Sequence, residues 1–99
     1  MIENSEPVES YRRMLVFNIS LLIDEFSKRY DFKVSERMRK MRLHGIPDKK
    51  VWDYQTRAAR AKDKKAELYR KKLEASIEPS VKRYVDSIEG LLGLTEPPD

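Results

Sequence analysis

The sequence is poor in the residues that most often build catalytic and metal sites. Its 99 residues include no cysteine, a single histidine and three glycines. Without cysteine, disulfides, thiolate metal ligands and cysteine nucleophiles are excluded. Gly45, Gly90 and Gly93 form no phosphate-binding loop motif, and His44 has no second histidine to act with, so we interpret it as a polar residue near a helix end. We therefore predict a protein that is not an enzyme and that uses no metal and no cofactor.

Long hydrophobic runs are also absent. The most apolar run, residues 14–23, is ten residues long and carries Asn18 and Ser20, whereas a bilayer span needs about 20 residues. The first ten residues are acidic and polar, unlike a secretory signal. Residues 58–66 lack the bulky side chains of a membrane-surface helix. We expect an intracellular protein, in cytoplasm or nucleoid, with no membrane partner.

Charge, in contrast, is abundant and unevenly distributed. The chain has a formal net charge of +4. Residues 37–72 contain fourteen Lys and Arg against four Asp and Glu, a net of +10, and the rest of the chain has a net of −6. A basic middle between acidic ends favours a polyanionic partner or electrostatic docking on another protein. The alternative is a solvated helical surface with no ligand.

Apolar spacing at steps of three and four residues predicts an all-α fold. We expect a small four-helix domain over residues 1–99, with residues 1–7 and 94–99 as flexible tails. The predicted helices are residues 8–30, a short helix at 36–44 capped by Ser35 and ended by Gly45, a long basic helix at 47–75, and a helix from Pro79 to about Gly93. The last is expected to pack against the first.

The long basic helix is amphipathic. Val51, Ala58, Tyr69 and Leu73 fall on one side of a helical wheel and most of its cations fall on the other, although Lys62 intrudes on the apolar side. Backbone phosphates of a nucleic acid are the natural ligands of such a basic surface. The predicted nucleic-acid-binding residues are Arg39, Arg42, Lys49, Lys50, Arg57, Arg60, Lys64, Lys65 and Lys71.

Two finer hypotheses concern residues 36–55 and the aromatic residues. A short helix, the turn at Gly45 and a second helix could form a helix-turn-helix, but Lys40 and His44 stand where that motif usually has apolar residues. Trp52 and Tyr54 lie beside lysines, and exposed aromatic residues among cations can stack on single-stranded bases. More often such rings pack inwards and keep only a polar tip in water.

Two functional classes follow. In the first, the protein is a small non-catalytic nucleic-acid-associated factor, with DNA expected before RNA, that serves a replication or transcription machine. In the second, it is a protein–protein adaptor or accessory subunit of a larger assembly with no direct nucleic-acid contact. The protein interface then comprises Leu15, Ile19, Leu22 and Phe26, on a first helix that is apolar around much of its circumference. A homodimer is a further expectation, because a small core gains from association.

Overall fold

Three α-helices make up the part of the chain that the computed structural model describes, residues 5–93. Helix α1 is Glu6–Leu43, α2 is Asp48–Ala75 and α3 is Ile77–Leu92. No strand occurs within these residues, so the predicted all-α class is confirmed. Of the two predicted tails, residues 1–4 and 94–99 lie outside the described residues, and Glu6 and Pro7 already belong to α1.

The prediction of four helices is wrong for the described residues, because the first two predicted helices are one. Ser35 was expected to cap a new helix, but residues 31–35 are helical and α1 continues through them. This segment contains no glycine or proline to break a helix. It is also held on both sides: the amine of Lys65 lies 5.6 Å from the ring centre of Tyr30, and the guanidinium of Arg37 lies 5.4 Å from that of Tyr54.

The joint between α1 and α2 was correctly placed at Gly45. This residue has φ of 75°, a left-handed conformation that favours glycine. The amide of Gly45 donates to the carbonyl of Arg42, and the amide of Ile46 donates to that of Met41, both at 3.0 Å. These two bonds are the Schellman motif that satisfies the last carbonyls of a helix. Pro47 follows, and α2 begins one residue later.

A second break separates α2 from α3 at Ser76. Pro79 has no amide hydrogen to donate to the carbonyl of Ala75, and its ring crowds that carbonyl, so a regular helix cannot pass this point. The Ser76 hydroxyl donates to the carbonyl of Leu73 at 2.6 Å and satisfies one of the terminal acceptors of α2. Helix α3 therefore begins at Ile77, two residues before the predicted start, and ends at Leu92, where Gly93 caps it with φ of 70°.

The chain divides into two compact units. We call residues 1–20 with 72–99 the terminal unit and residues 21–71 the hairpin unit. In the terminal unit, α3 packs against the start of α1, as predicted. Its core is formed by Val8, Val81 and Val85, and the rings of Tyr11 and Tyr84 stack with centroids 4.4 Å apart.

Ion pairs flank this core. Arg12 binds Glu78 with an Nε to Oε1 distance of 3.0 Å and also contacts Glu9. The hydrogen bonds to Glu78 and then Glu9 raise the pKa of Arg12 above its ordinary value, and the hydrogen bond from Arg13 lowers the pKa of Glu6. Arg12 and Glu6 therefore keep their charges at neutral pH. They are surface pairs, which contribute little to stability.

In the hairpin unit, α1 and α2 are antiparallel. Phe26 contacts Tyr69 with ring centroids 5.9 Å apart, Asp31 binds Lys62 at 2.9 Å, and Arg37 lies over Tyr54. In these contacts, later residues of α1 meet earlier residues of α2, as antiparallel helices require. A helix-turn-helix has helices that cross at about 90–120°, so the hairpin does not support that hypothesis.

Candidate functional site

One groove of the hairpin unit collects cations from both helices. Arg37 of α1 and Arg57 of α2 line the same depression, with Tyr30 and Tyr54 between them. Lys33 and Lys40 line the adjoining groove together with Arg37, and the amine of Lys65 lies over the ring of Tyr30. We call this set the basic face: Lys33, Arg37, Lys40, Arg57 and Lys65.

The helical repeat explains why the α1 members share a surface. At about 100° per residue, Lys33, Arg37 and Lys40 fall within about 60° of one another. Sequence reasoning missed them as a site because it divided α1 at residues 31–35, which separated Lys33 from the other two. Their spacing of four and three residues is the signal that would have found them once α1 was read as continuous.

None of the five cations of the basic face forms an ion pair with a carboxylate among residues 5–93. Glu36 lines the same groove, but its carboxylate binds Arg39 at 3.2 Å. Lys33, Lys40, Arg57 and Lys65 are all exposed. Uncompensated like charges on one surface produce a positive potential that attracts anions.

The other groove of the hairpin unit has a different character. It is lined by Asp31, Ser35, Gln55 and Lys62, among others. Lys62 is the one cation in this groove, and it is the lysine that the helical wheel placed on the apolar side of α2. Its amine donates to the carboxylate of Asp31 at 2.9 Å. These two grooves of the hairpin unit therefore differ in charge, although cations outside the basic face, Arg42, Lys49 and Arg60 among them, also form no ion pair within residues 5–93.

The predicted nucleic-acid residues do not all fall on one surface. Arg57 and Lys65 belong to the basic face, and Lys50 and Lys64 stand seven residues to either side of Arg57, on nearly the same line of α2. Lys71, Arg60 and Lys49 lie about 40°, 60° and 80° around α2 from Arg57 and so flank the basic face, with Lys71 bound to Glu67 at 3.4 Å. Arg39 and Arg42 lie about 160° and 140° around α1 from Arg37.

The predicted protein-interface residues are mostly engaged within the chain. Leu15 packs against the core of the terminal unit, and Ile19 is buried. Phe26 contacts Tyr30 and Tyr69. Leu22 is 43% exposed and remains available to a partner.

Two further observations concern the described residues. No group of three or more His, Asp and Glu side chains is placed to hold a metal ion there. The helices of residues 5–93 are also too polar or too short for any of them to cross a bilayer.

Comparison of the chain with protein-family models, with characterised proteins and with solved structures finds no match.

Proposed function

We propose that this protein binds the phosphate backbone of nucleic acid, DNA in the first place, through the basic face of its hairpin unit. It does so without catalysis, as an accessory factor of a replication or transcription machine. The observation that supports the proposal is the gathering of five cations from two helices on one surface with no carboxylate bound to any of them.

Phosphate binding by such a surface has a characteristic salt dependence. Each neutralised phosphate releases condensed counterions, so log affinity falls linearly with log salt, by about 0.7 per contact for single strands and 0.9 for duplex. Five contacts give a slope of about −3.5 to −4.5. Between about 50 and 200 mM salt, the affinity should then fall about 100- to 500-fold.

Fluorescence anisotropy of the intact protein with labelled DNA over this range of salt tests the proposal. We expect binding at low salt and a slope near that range. Absence of binding at low salt would overturn the proposal. A slope near zero would do so as well, because it would mean that phosphate contacts do not carry the affinity.

A second candidate function, the protein–protein adaptor, is favoured by a different observation. Seven apolar residues of the described chain are buried, whereas eleven large hydrophobic side chains are 43–87% exposed. They include Met14, Val16 and Phe17 of the terminal unit and Trp52 and Leu68 of the hairpin unit. Apolar side chains exposed in such number are typical of a surface that another protein, or a second copy of this chain, covers. Failure to bind nucleic acid at low salt would favour this candidate.

A further inference from the structure

The groove that holds Lys33, Arg37 and Lys40 also has an apolar surface. Phe32, Met41 and Ile46 line it. Met41 and Ile46 are half-buried, while the Phe32 side chain is 67% exposed. A large aromatic ring is thus held in water beside three of the cations that the proposed function assigns to phosphate.

Phe32 differs from Phe26 and from the three tyrosines of the hairpin unit. The ring of Tyr54 is covered by Arg37 and that of Tyr30 by Lys65, and Phe26 and Tyr69 contact each other. No ring or cation stacks on Phe32 among the residues that the structure describes. Its face is therefore open to a ligand.

Trp52, the residue singled out from the sequence for stacking, is exposed but is not on the basic face. It lines none of the grooves that hold Lys33, Arg37, Lys40 and Arg57, whereas Phe32 lines the groove of the first three. A base on Trp52 would place its phosphates away from these cations, whereas a base on Phe32 would place them beside Lys33 and Lys40.

We infer that Phe32 is a stacking platform for a base of single-stranded DNA, and that Lys33 and Lys40, which line the same groove, hold neighbouring phosphates of the strand. This inference rests on the proposed function and names its substrate class. In a duplex, both faces of a base are covered by its neighbours, so an aromatic ring on a helix surface finds nothing to stack on. In a single strand every base has a free face, and stacking on aromatic side chains tolerates any sequence.

Stacking and phosphate binding leave different signatures, which separates the two claims. Removal of a phosphate contact weakens binding and lowers the salt slope. Removal of a stacking ring weakens binding and leaves the salt slope unchanged, because no counterion is involved. Loss of one stacked base corresponds to about a 5- to 150-fold loss of affinity.

The experiment uses the full chain and three labelled ligands: an oligothymidylate, a duplex of equal length, and an abasic strand that keeps the phosphates but has no bases. We expect the oligothymidylate to bind most tightly. Phe32→Ala should lose about 5- to 150-fold towards oligothymidylate only, with an unchanged salt slope, and Phe32→Tyr should retain binding. Trp52→Ala, the matched exposed aromatic residue, should bind as the wild type does.

The outcomes distinguish the two levels of the proposal. If Phe32→Ala binds oligothymidylate as tightly as the wild type, with the same steep salt slope, the stacking inference is wrong and phosphate binding stands. Tighter binding of duplex than of single strand by the wild type also overturns the inference. If no ligand binds at low salt, the proposed function and the inference fail together. Circular dichroism confirms that each variant is folded.

Discussion

Reversal of two charges on the basic face, Lys33→Glu with Lys40→Glu, is expected to lower the affinity for single-stranded DNA about 50-fold or more at low salt. Each phosphate contact contributes about a factor of eight at 50 mM salt when the slope per contact is 0.7. The same two losses should reduce the magnitude of the salt slope by about 1.4. Both side chains are exposed, so the substitution should leave the fold intact, which circular dichroism checks.

The matched control is Lys82→Glu with Arg83→Glu. It removes and adds the same charges, so the net charge of the two variants is equal. Both side chains are exposed, and both belong to α3 of the terminal unit, which holds no residue of the basic face. We expect this variant to bind within a few-fold of the wild type. Equal losses in the two variants would show that only the total charge matters and that the basic face is not a site.

Val51→Asp is expected to lower the free energy of unfolding by about 3–5 kcal/mol, which brings the protein close to its unfolding midpoint at room temperature. Among residues 5–93, Val51 is one of two side chains with 0% exposure. A buried carboxylate without a partner costs about 3–5 kcal/mol. A chain of this length has a free energy of unfolding of roughly 5–15 kcal/mol. Because few of the described side chains are buried, we expect the value for this protein to lie at the lower end of that range. Far-UV circular dichroism and urea titration measure the loss.

Trp52→Asp is the control for this prediction. It places the same residue type one position further along α2, where helix propensity and the helix dipole are nearly the same. Because Trp52 is 61% exposed, the free energy of unfolding should change by about 0.5 kcal/mol or less. Equal destabilisation by the two substitutions would contradict the burial pattern of α2 and would indicate that Trp52 is covered in solution.

Much of the fold could be predicted because its signals are local. Gly45 ends α1 by its left-handed conformation, and this requirement is visible in the sequence. The apolar stripe of α3 predicted its packing on α1. The predicted start of α2 was correct to within one residue, because Gly45 and Pro47 mark the joint before it, and its predicted end was correct.

The continuity of α1 could not be predicted, because two signals conflicted. Ser35 is a favourable cap and residues 31–35 are mostly polar, which indicated a break. What holds them helical is the contact of their neighbours Tyr30 and Arg37 with Lys65 and Tyr54, and such contacts depend on the hairpin. The prediction of the site failed for the same reason. With α1 divided into two helices, Lys33 did not share a helix face with Arg37 and Lys40, and Arg39 and Arg42 were predicted instead.

The most direct test of the basic face is an NMR titration of the labelled protein with a short oligothymidylate, followed through backbone amide shifts and the side-chain signals of arginine and lysine. We expect perturbations at Lys33, Arg37, Lys40 and Arg57 and at the ring of Phe32, with Lys82 and Arg83 of the terminal unit unaffected. Perturbations confined to the terminal unit, or none at saturating oligonucleotide, would show that the basic face is not the binding site.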